Sequence, residues 1–140
     1  RNDLHSSLDF LKTRKLNNLF ALWLDANKIV GTIPTEIGLC TDLASISISN
    51  GTLTGTIPTE IGHMKGLRRV WLYGNALTGT IPTEVTSLKK LEVFELHRNL
   101  LSGNVPQSVC DTIAVSNYTH KSLIVDCAKV VCEGCCTRCE

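Results

Sequence analysis

Residues 77–84 read LTGTIPTE, and residues 53–60 read the same eight letters. Near-copies occupy 29–36 (IVGTIPTE) and 101–108 (LSGNVPQS), so the four segments start 24 residues apart. The rest of the chain between them keeps step. Leu19, Leu43, Leu67 and Leu91 share the period, as do Gly31, Gly55, Gly79 and Gly103, and Pro34, Pro58, Pro82 and Pro106. A fixed period of this size marks a solenoid. Each unit has one apolar side that it cannot bury alone, and the neighbouring unit covers it.

The unit reads L-x-x-L-x-L-x-x-N-x-L-x-G-x-I-P-x-E-I-G-x-x-x-x. Its L-x-L pair predicts a short strand whose leucines face the core, filled by Leu22 and Leu24, Ile46 and Ile48, Val70 and Leu72, and Phe94 and Leu96. Successive strands then pair in parallel at about 4.7–4.9 Å. Asn27, Asn75 and Asn99 stand where the chain turns inward, and a buried amide there satisfies backbone groups of its own loop and of the next coil. The second unit has Gly51 in that slot with Asn50 one place early, which is either a tolerated defect or a modified turn. Ile37, Ile61, Val85 and Val109 are expected to cover the far side of the core. Cys40 shares a column with Met64 and Leu88, so it reads as a buried, unpaired thiol packing as a small hydrophobe.

This pattern resembles the leucine-rich repeat in its plant-type form, carried by the L-x-G-x-I-P segment over residues 19–109. The resemblance implies an α/β solenoid: right-handed, with a short parallel β-sheet on the concave face and four 24-residue coils (19–42, 43–66, 67–90 and 91–109). The terminal coils need covers. Residues 1–18 are expected to hold a helical N-terminal cap or the tail of an upstream repeat, with a helix over 3–13 built on Leu4, Leu8 and Leu11 and started by Asp3. Residues 110–140 are expected to form a disulfide-rich C-terminal cap, with a last strand over Ser122–Asp126. The chain begins at Arg1 rather than Met, which reads as a mature product or a fragment.

Seven cysteines are many for 140 residues, and Cys110, Cys127, Cys132, Cys135, Cys136 and Cys139 crowd the end. An even cluster of this kind reads as disulfides and an oxidising compartment. Zinc is the competing reading of the C-x-x-C steps, but structural zinc draws its ligand pairs from separated knuckles. No metal and no cofactor is expected. Two N-x-T sequons, at Asn50 and Asn117, suit a secreted or cell-surface glycoprotein.

Charge narrows the partners. Fourteen Lys and Arg against thirteen Asp and Glu leave a net charge of +1, without the basic surface that nucleic acid requires. No apolar run reaches the roughly 18–20 residues of a membrane span. Catalysis is not expected: His5, His63, His97 and His120 fall in four different contexts, and the one acid–histidine neighbour pair, Glu95 and His97, has no nucleophile beside it. Glu36, Glu60 and Glu84 form a column that reads as a solvated edge.

Two surfaces remain. On the concave face, one outward column reads Trp23, Ser47, Trp71, Glu95 and the next Asp25, Ser49, Tyr73, His97, flanked by Arg68, Arg69, Glu92 and Arg98. Aromatics mixed with charge are the composition of a binding hot spot. The expected ligand-binding set is therefore Trp23, Asp25, Arg69, Trp71, Tyr73, Glu95 and His97. The second surface is the threonine array of the repeated segment: Thr32, Thr56 and Thr80 in one column, Thr35, Thr59 and Thr83 in another, and Thr54 and Thr78 in a third. It resembles the flat arrays of ice-binding solenoids, some of which are leucine-rich-repeat proteins.

The near-identical GTIPTEIG units and the CxxCCxxC tail are similar to extracellular leucine-rich-repeat proteins of diatoms and related algae, to plant receptor-kinase ectodomains and to polygalacturonase-inhibiting proteins. That similarity implies a module that binds a protein, peptide or glycan, or a subunit of a larger assembly. Ice binding is the alternative.

Overall fold

The computed structural model describes residues 7–13, 16, 18–115, 121–132 and 136–139. Its spine is a parallel sheet whose strands follow one another in chain order: Ala21–Trp23, Ser45–Ser47, Arg69–Trp71, Val93–Glu95, Ser122–Val125 and Arg138–Cys139. Leu22 lies opposite Ile46, Ile46 opposite Val70 and Val70 opposite Phe94, each step an offset of 24. Beyond Phe94 the period breaks. Its partner is Leu123, 29 residues on, and Ile124 then pairs with Arg138, 14 residues on.

Alternation along each strand sends one side chain inward. Ile46, Val70, Phe94 and Leu123 are all buried, as are Ile48, Leu72, Leu96 and Val125 one step further on. The chain then turns through a column of left-handed residues, Ala26, Asn50, Gly74 and Arg98, with φ of 53°, 53°, 68° and 56°. Asn tolerates this region better than most residues. Asn50 therefore occupies the turn column itself, with the left-handed φ of its neighbours, and Gly51 leaves the second unit without the inward asparagine.

A second edge is built by short parallel pairs: Val30–Thr32 with Thr52–Thr54, Thr78–Gly79 with Leu100–Leu101, and Gly103–Asn104 with Val130–Val131. Each of Pro34, Pro58 and Pro82 is extended and launches a five-residue 3-10 turn, at Thr35–Leu39, Thr59–His63 and Thr83–Ser87. Proline suits the entry because its φ is preset and no amide is left unpaired. The fourth unit differs: Gln107–Val115 is an α-helix. Ile37, Ile61, Val85 and Val109 all reach the core from this side, as expected.

At the start, the helix expected over 3–13 is only Phe10–Thr13 among the described residues. Ser7 makes a parallel bridge with Val30, and Leu8 and Leu11 bury against the first unit. An extended Ser7 cannot belong to a helix, so the helical spacing of the leucines reflects packing of a turn followed by one helical turn. Asp3 and Leu4 lie outside the described residues.

At the other end, Cys132 and Cys136 form a disulfide with Cα atoms 6.0 Å apart, and Cys110 and Cys127 are each disulfide-bonded. Cys139 lies in the last strand, and Cys135 and Asn117 fall outside the described residues. Cys40 is a free, buried thiol whose ionisation burial pushes above its ordinary value. Among the described residues no helix is long and apolar enough to cross a membrane, and no group of three His, Cys, Asp or Glu is placed to hold a metal.

Candidate functional site

The outward positions of the strands bring the first two columns together. Trp23, Ser47 and Trp71 are register partners across three neighbouring strands, and Glu95 follows Trp71 in the same row. Trp23 is 70% exposed, as is Phe20, the two most exposed large apolar side chains among the described residues. Ser47 is buried although it points outward, because it sits in the trough between two tryptophan positions. The result is an open cleft of about 250 Å³ lined by Trp23, Asp25, Ser47, Trp71 and Tyr73.

Asp25 is the polar centre of this cleft. Its Oδ1 accepts from the Ser47 hydroxyl at 2.6 Å, from the Ser49 amide at 2.9 Å, and from the Ser49 hydroxyl. Partial burial works against its charge, but the Ser47 hydroxyl and the two Ser49 donors outweigh it and hold the carboxyl below the ordinary aspartate value. Donors aimed at a carboxylate favour the ionised form. A fixed negative charge therefore lies at the base of an aromatic cleft.

The neighbouring pieces are structural. Tyr73 and His97 stack with ring centroids 4.7 Å apart and planes 7° from parallel. His97 is only 8% exposed, so it backs Tyr73 rather than presenting itself to a ligand. Glu92 is 1% exposed and lies 3.3 Å from the Arg68 guanidinium and 3.7 Å from that of Arg69. Arg69 is thus anchored away from the cleft, and Glu95 is half-buried beside Trp71. Of the seven residues expected from sequence, Trp23, Asp25, Trp71 and Tyr73 converge, while Arg69, Glu95 and His97 surround them. Ser47 and Ser49 complete the site. Their signal was an Asp followed, one unit later, by Ser in both adjacent outward columns.

The threonine edge is regular. Thr32, Thr56 and Thr80 are exposed, as are Thr35, Thr59 and Thr83. The second column is engaged locally, each hydroxyl donating to the following Glu36, Glu60 or Glu84 carboxylate at 3.3–3.4 Å. Thr54 and Thr78 donate to the carbonyls of Gly31 and Gly55 in the preceding unit, at 3.2 and 3.3 Å.

The leucine-rich-repeat family profile matches residues 66–88, which include the Arg69–Trp71 strand and the LTGTIPTE segment. The chain has the leucine-rich-repeat solenoid fold. Leucine-rich-repeat structures similar to it include the ectodomain of the Arabidopsis thaliana receptor kinase GASSHO1/SCHENGEN3 in complex with CASPARIAN STRIP INTEGRITY FACTOR 2 (TM-score 0.76, 28% identity, 91% of this chain and 14% of that one). The plant peptide hormone receptor RGFR1 in complex with RGF2 is similar at TM-score 0.75 and 31% identity, over 91% of this chain and 19% of that one. A plant ice-binding protein is similar at TM-score 0.74 and 26% identity, over 92% of this chain and 39% of that one. This leucine-rich-repeat chain therefore spans only a small part of each of those proteins. No curated protein matches it in sequence.

Proposed function

We propose that the chain is a non-catalytic recognition module of an extracellular leucine-rich-repeat protein, binding a protein, peptide or glycan partner on its concave strand face. In this reading it is four right-handed 24-residue coils between a helical N-terminal cap and a disulfide-rich C-terminal cap, acting alone or within a larger assembly. Three successive register steps of 24 and the right-handed preference of parallel crossovers support that layout. The observation that carries the function is the cleft itself: Trp23, Trp71 and Tyr73 around an ionised Asp25. One exposed and two half-buried aromatics next to a fixed charge have the composition of a hot spot. Two of the similar structures are receptors in complex with a named partner, which supports a protein or peptide ligand. The disulfides support a secreted or cell-surface setting, and Asn50, exposed in a sequon, is the proposed glycan site. The test compares partner association of the wild type with Trp71→Ala and Tyr73→Ala, folding checked by circular dichroism. Association that survives both substitutions in a folded chain would remove the concave-face reading.

A second reading, ice binding through the Thr columns, is favoured by the exposed row Thr32, Thr56 and Thr80 and by the similarity to a plant ice-binding protein. Thermal hysteresis and ice-recrystallisation assays on wild type and Thr56→Lys decide it. A wild type without activity ends this alternative.

A further inference from the structure

We infer that the cleft between Trp23 and Trp71 is a subsite for an arginine side chain of the partner, with the guanidinium stacked on the indoles and hydrogen-bonded to Oδ2 of Asp25. The inference rests on the concave-face reading and names the chemistry it selects.

The hydrogen bonding of the cleft sets the polarity of its ligand. Both hydroxyls at its base, Ser47 and Ser49, donate to Asp25, and so does the Ser49 amide. All three end on Oδ1. No hydrogen bond among the described residues ends on Oδ2, although Asp25 is exposed. The base of the cleft therefore offers an ionised acceptor and has no hydroxyl left to give. Any donors left in the cleft are on its walls, the Tyr73 phenol and the indole N–H groups, so the base itself selects a donating group. A guanidinium is donor-only, with five N–H groups in a planar fork, and matches what remains.

The walls agree with the base. Indole faces attract cations, most strongly among the aromatic side chains, and Arg is the commoner partner. Trp23 and Trp71 sit on strands separated by the Ser45–Ser47 strand, hence about 9.5 Å apart along the solenoid from two strand spacings. A planar group in contact with two flat neighbours needs about 7–8 Å. The strand spacing therefore leaves room for a flat cation above Ser47, and aromatic walls favour a guanidinium over a compact, strongly hydrated ammonium. No basic side chain lines the cleft among the described residues, and Arg69 on the Trp71 strand is drawn toward buried Glu92.

Trp23 and Trp71 are the two tryptophans of the chain, so intrinsic fluorescence reads this cleft alone. The probe is N-acetyl-arginine methylamide, titrated at low salt against its citrulline, lysine and methyl-glucoside counterparts. Saturable quenching by the arginine probe is expected, at least about tenfold stronger than by citrulline, which is isosteric and uncharged. Asp25→Asn should reduce the arginine response about tenfold or more. Trp23→Ala, a change at an exposed side chain that leaves the fold intact, should reduce it about three- to tenfold. Equal responses to arginine and citrulline, a preference for the glucoside, or an unchanged Asp25→Asn variant would overturn the subsite. The partner-association assay separates the two ideas. Loss of partner in Trp71→Ala without any probe binding overturns the arginine subsite and leaves the concave face standing. Probe binding with partner association untouched by Trp71→Ala would mean a guanidinium site that the partner does not use, which overturns the subsite together with the concave-face reading.

Discussion

The γ-methyl of Thr56 lies 3.0 Å from the point where a β-carbon on Gly79 would stand, one unit further along the chain. Thr32 meets Gly55 and Thr80 meets Gly103 in the same way, at 2.9 and 3.0 Å. The threonine and the glycine of TGT segments are thus two halves of one contact between neighbouring coils. The glycine also sits at a φ of +78°, which side chains resist.

Gly79→Ala is accordingly expected to lower stability by about 1–3 kcal/mol, combining left-handed backbone cost with overpacking. Thr56→Ser, which removes the methyl and keeps the hydroxyl, should recover part of that loss in the double variant. Urea unfolding of the two single variants and the pair measures the coupling. A neutral Gly79→Ala, or strictly additive effects, would show that the contact carries no energy.

Asn99 and Asn27 occupy equivalent slots and are unequally employed. The Asn99 amide donates to Leu96 and His97 of its own loop and to Leu72 of the preceding unit, while its oxygen accepts the Leu77 amide at 3.0 Å. Asn75 does the same with Leu72, Tyr73, Ile48 and Leu53. The amides therefore reach back to the preceding coil, not forward as the pattern alone suggested. Among the described residues Asn27 bonds only the carbonyls of Leu24 and Asp25. Asn99→Ala should cost about 2–4 kcal/mol because it orphans several buried backbone groups, and Asn27→Ala about 1 kcal/mol or less. Equal losses in chemical denaturation would refute the ladder account.

The period of 24 made the strands, the inward columns and the buried Cys40 legible, because Leu, Gly and Pro recur for reasons of backbone shape and core volume. What the pattern hid was exposure on the concave face. Pointing outward is not the same as reaching water: His97 stacks against Tyr73 and is buried. Glu92 reads as a surface charge and is buried, and only the spacing of two arginines one unit earlier hints at its partners. The change from 3-10 turn to α-helix in the last unit also has a trace. Gly38 and Gly62 stand where a β-carbon would meet a carbonyl of the next unit at 2.6 and 2.7 Å, and Thr86 replaces glycine where the next segment is Gln107–Val115. A side chain there is compatible with a wider helical neighbour and not with a tight turn. The short elements at both ends lack the period altogether, so helical spacing of leucines near Leu8 and Leu11 overstated a single helical turn.

Cys40 gives a direct reading of core opening. It is 2% exposed, without a disulfide, and burial raises its thiol pKa. Iodoacetamide needs the thiolate, so labelling of the Cys40 peptide should be at least about tenfold slower in the folded chain than in urea. Mass spectrometry of that peptide checks it. Rapid labelling under native conditions would mean that the first unit opens readily.

The Glu92 carboxylate is shared by Arg68 and Arg69, both half-exposed, across one coil step. Removing one partner of a buried charge pair leaves the rest uncompensated. Glu92→Gln should therefore cost about 1–3 kcal/mol, tempered by the solvent around both guanidinium groups. Freed from it, Arg69 should also weaken the arginine-probe response at the aromatic cleft by adding a mobile positive charge nearby. Thermal unfolding and the fluorescence titration test the two effects separately. Unchanged stability would mark the cluster as an incidental surface pairing.

Asp25 ties the cleft to pH. Despite its partial burial, the hydroxyls of Ser47 and Ser49 and the Ser49 amide depress its folded pKa. The sign follows from linkage: a carboxyl that is more acidic when folded adds stability above the unfolded value of about 3.9, and that stability fades as pH falls through the lower folded value. Below both values the protonated carboxyl no longer favours the native state. Wild-type stability should thus fall more steeply between about pH 5 and pH 2 than that of Asp25→Asn, with Ser49→Ala in between because two donors remain on Ser47 and the Ser49 amide. Urea midpoints collected across that range provide the comparison. Parallel curves for wild type and Asp25→Asn would mean that the three donors do not hold the charge, and the ionised base of the cleft would have to be abandoned.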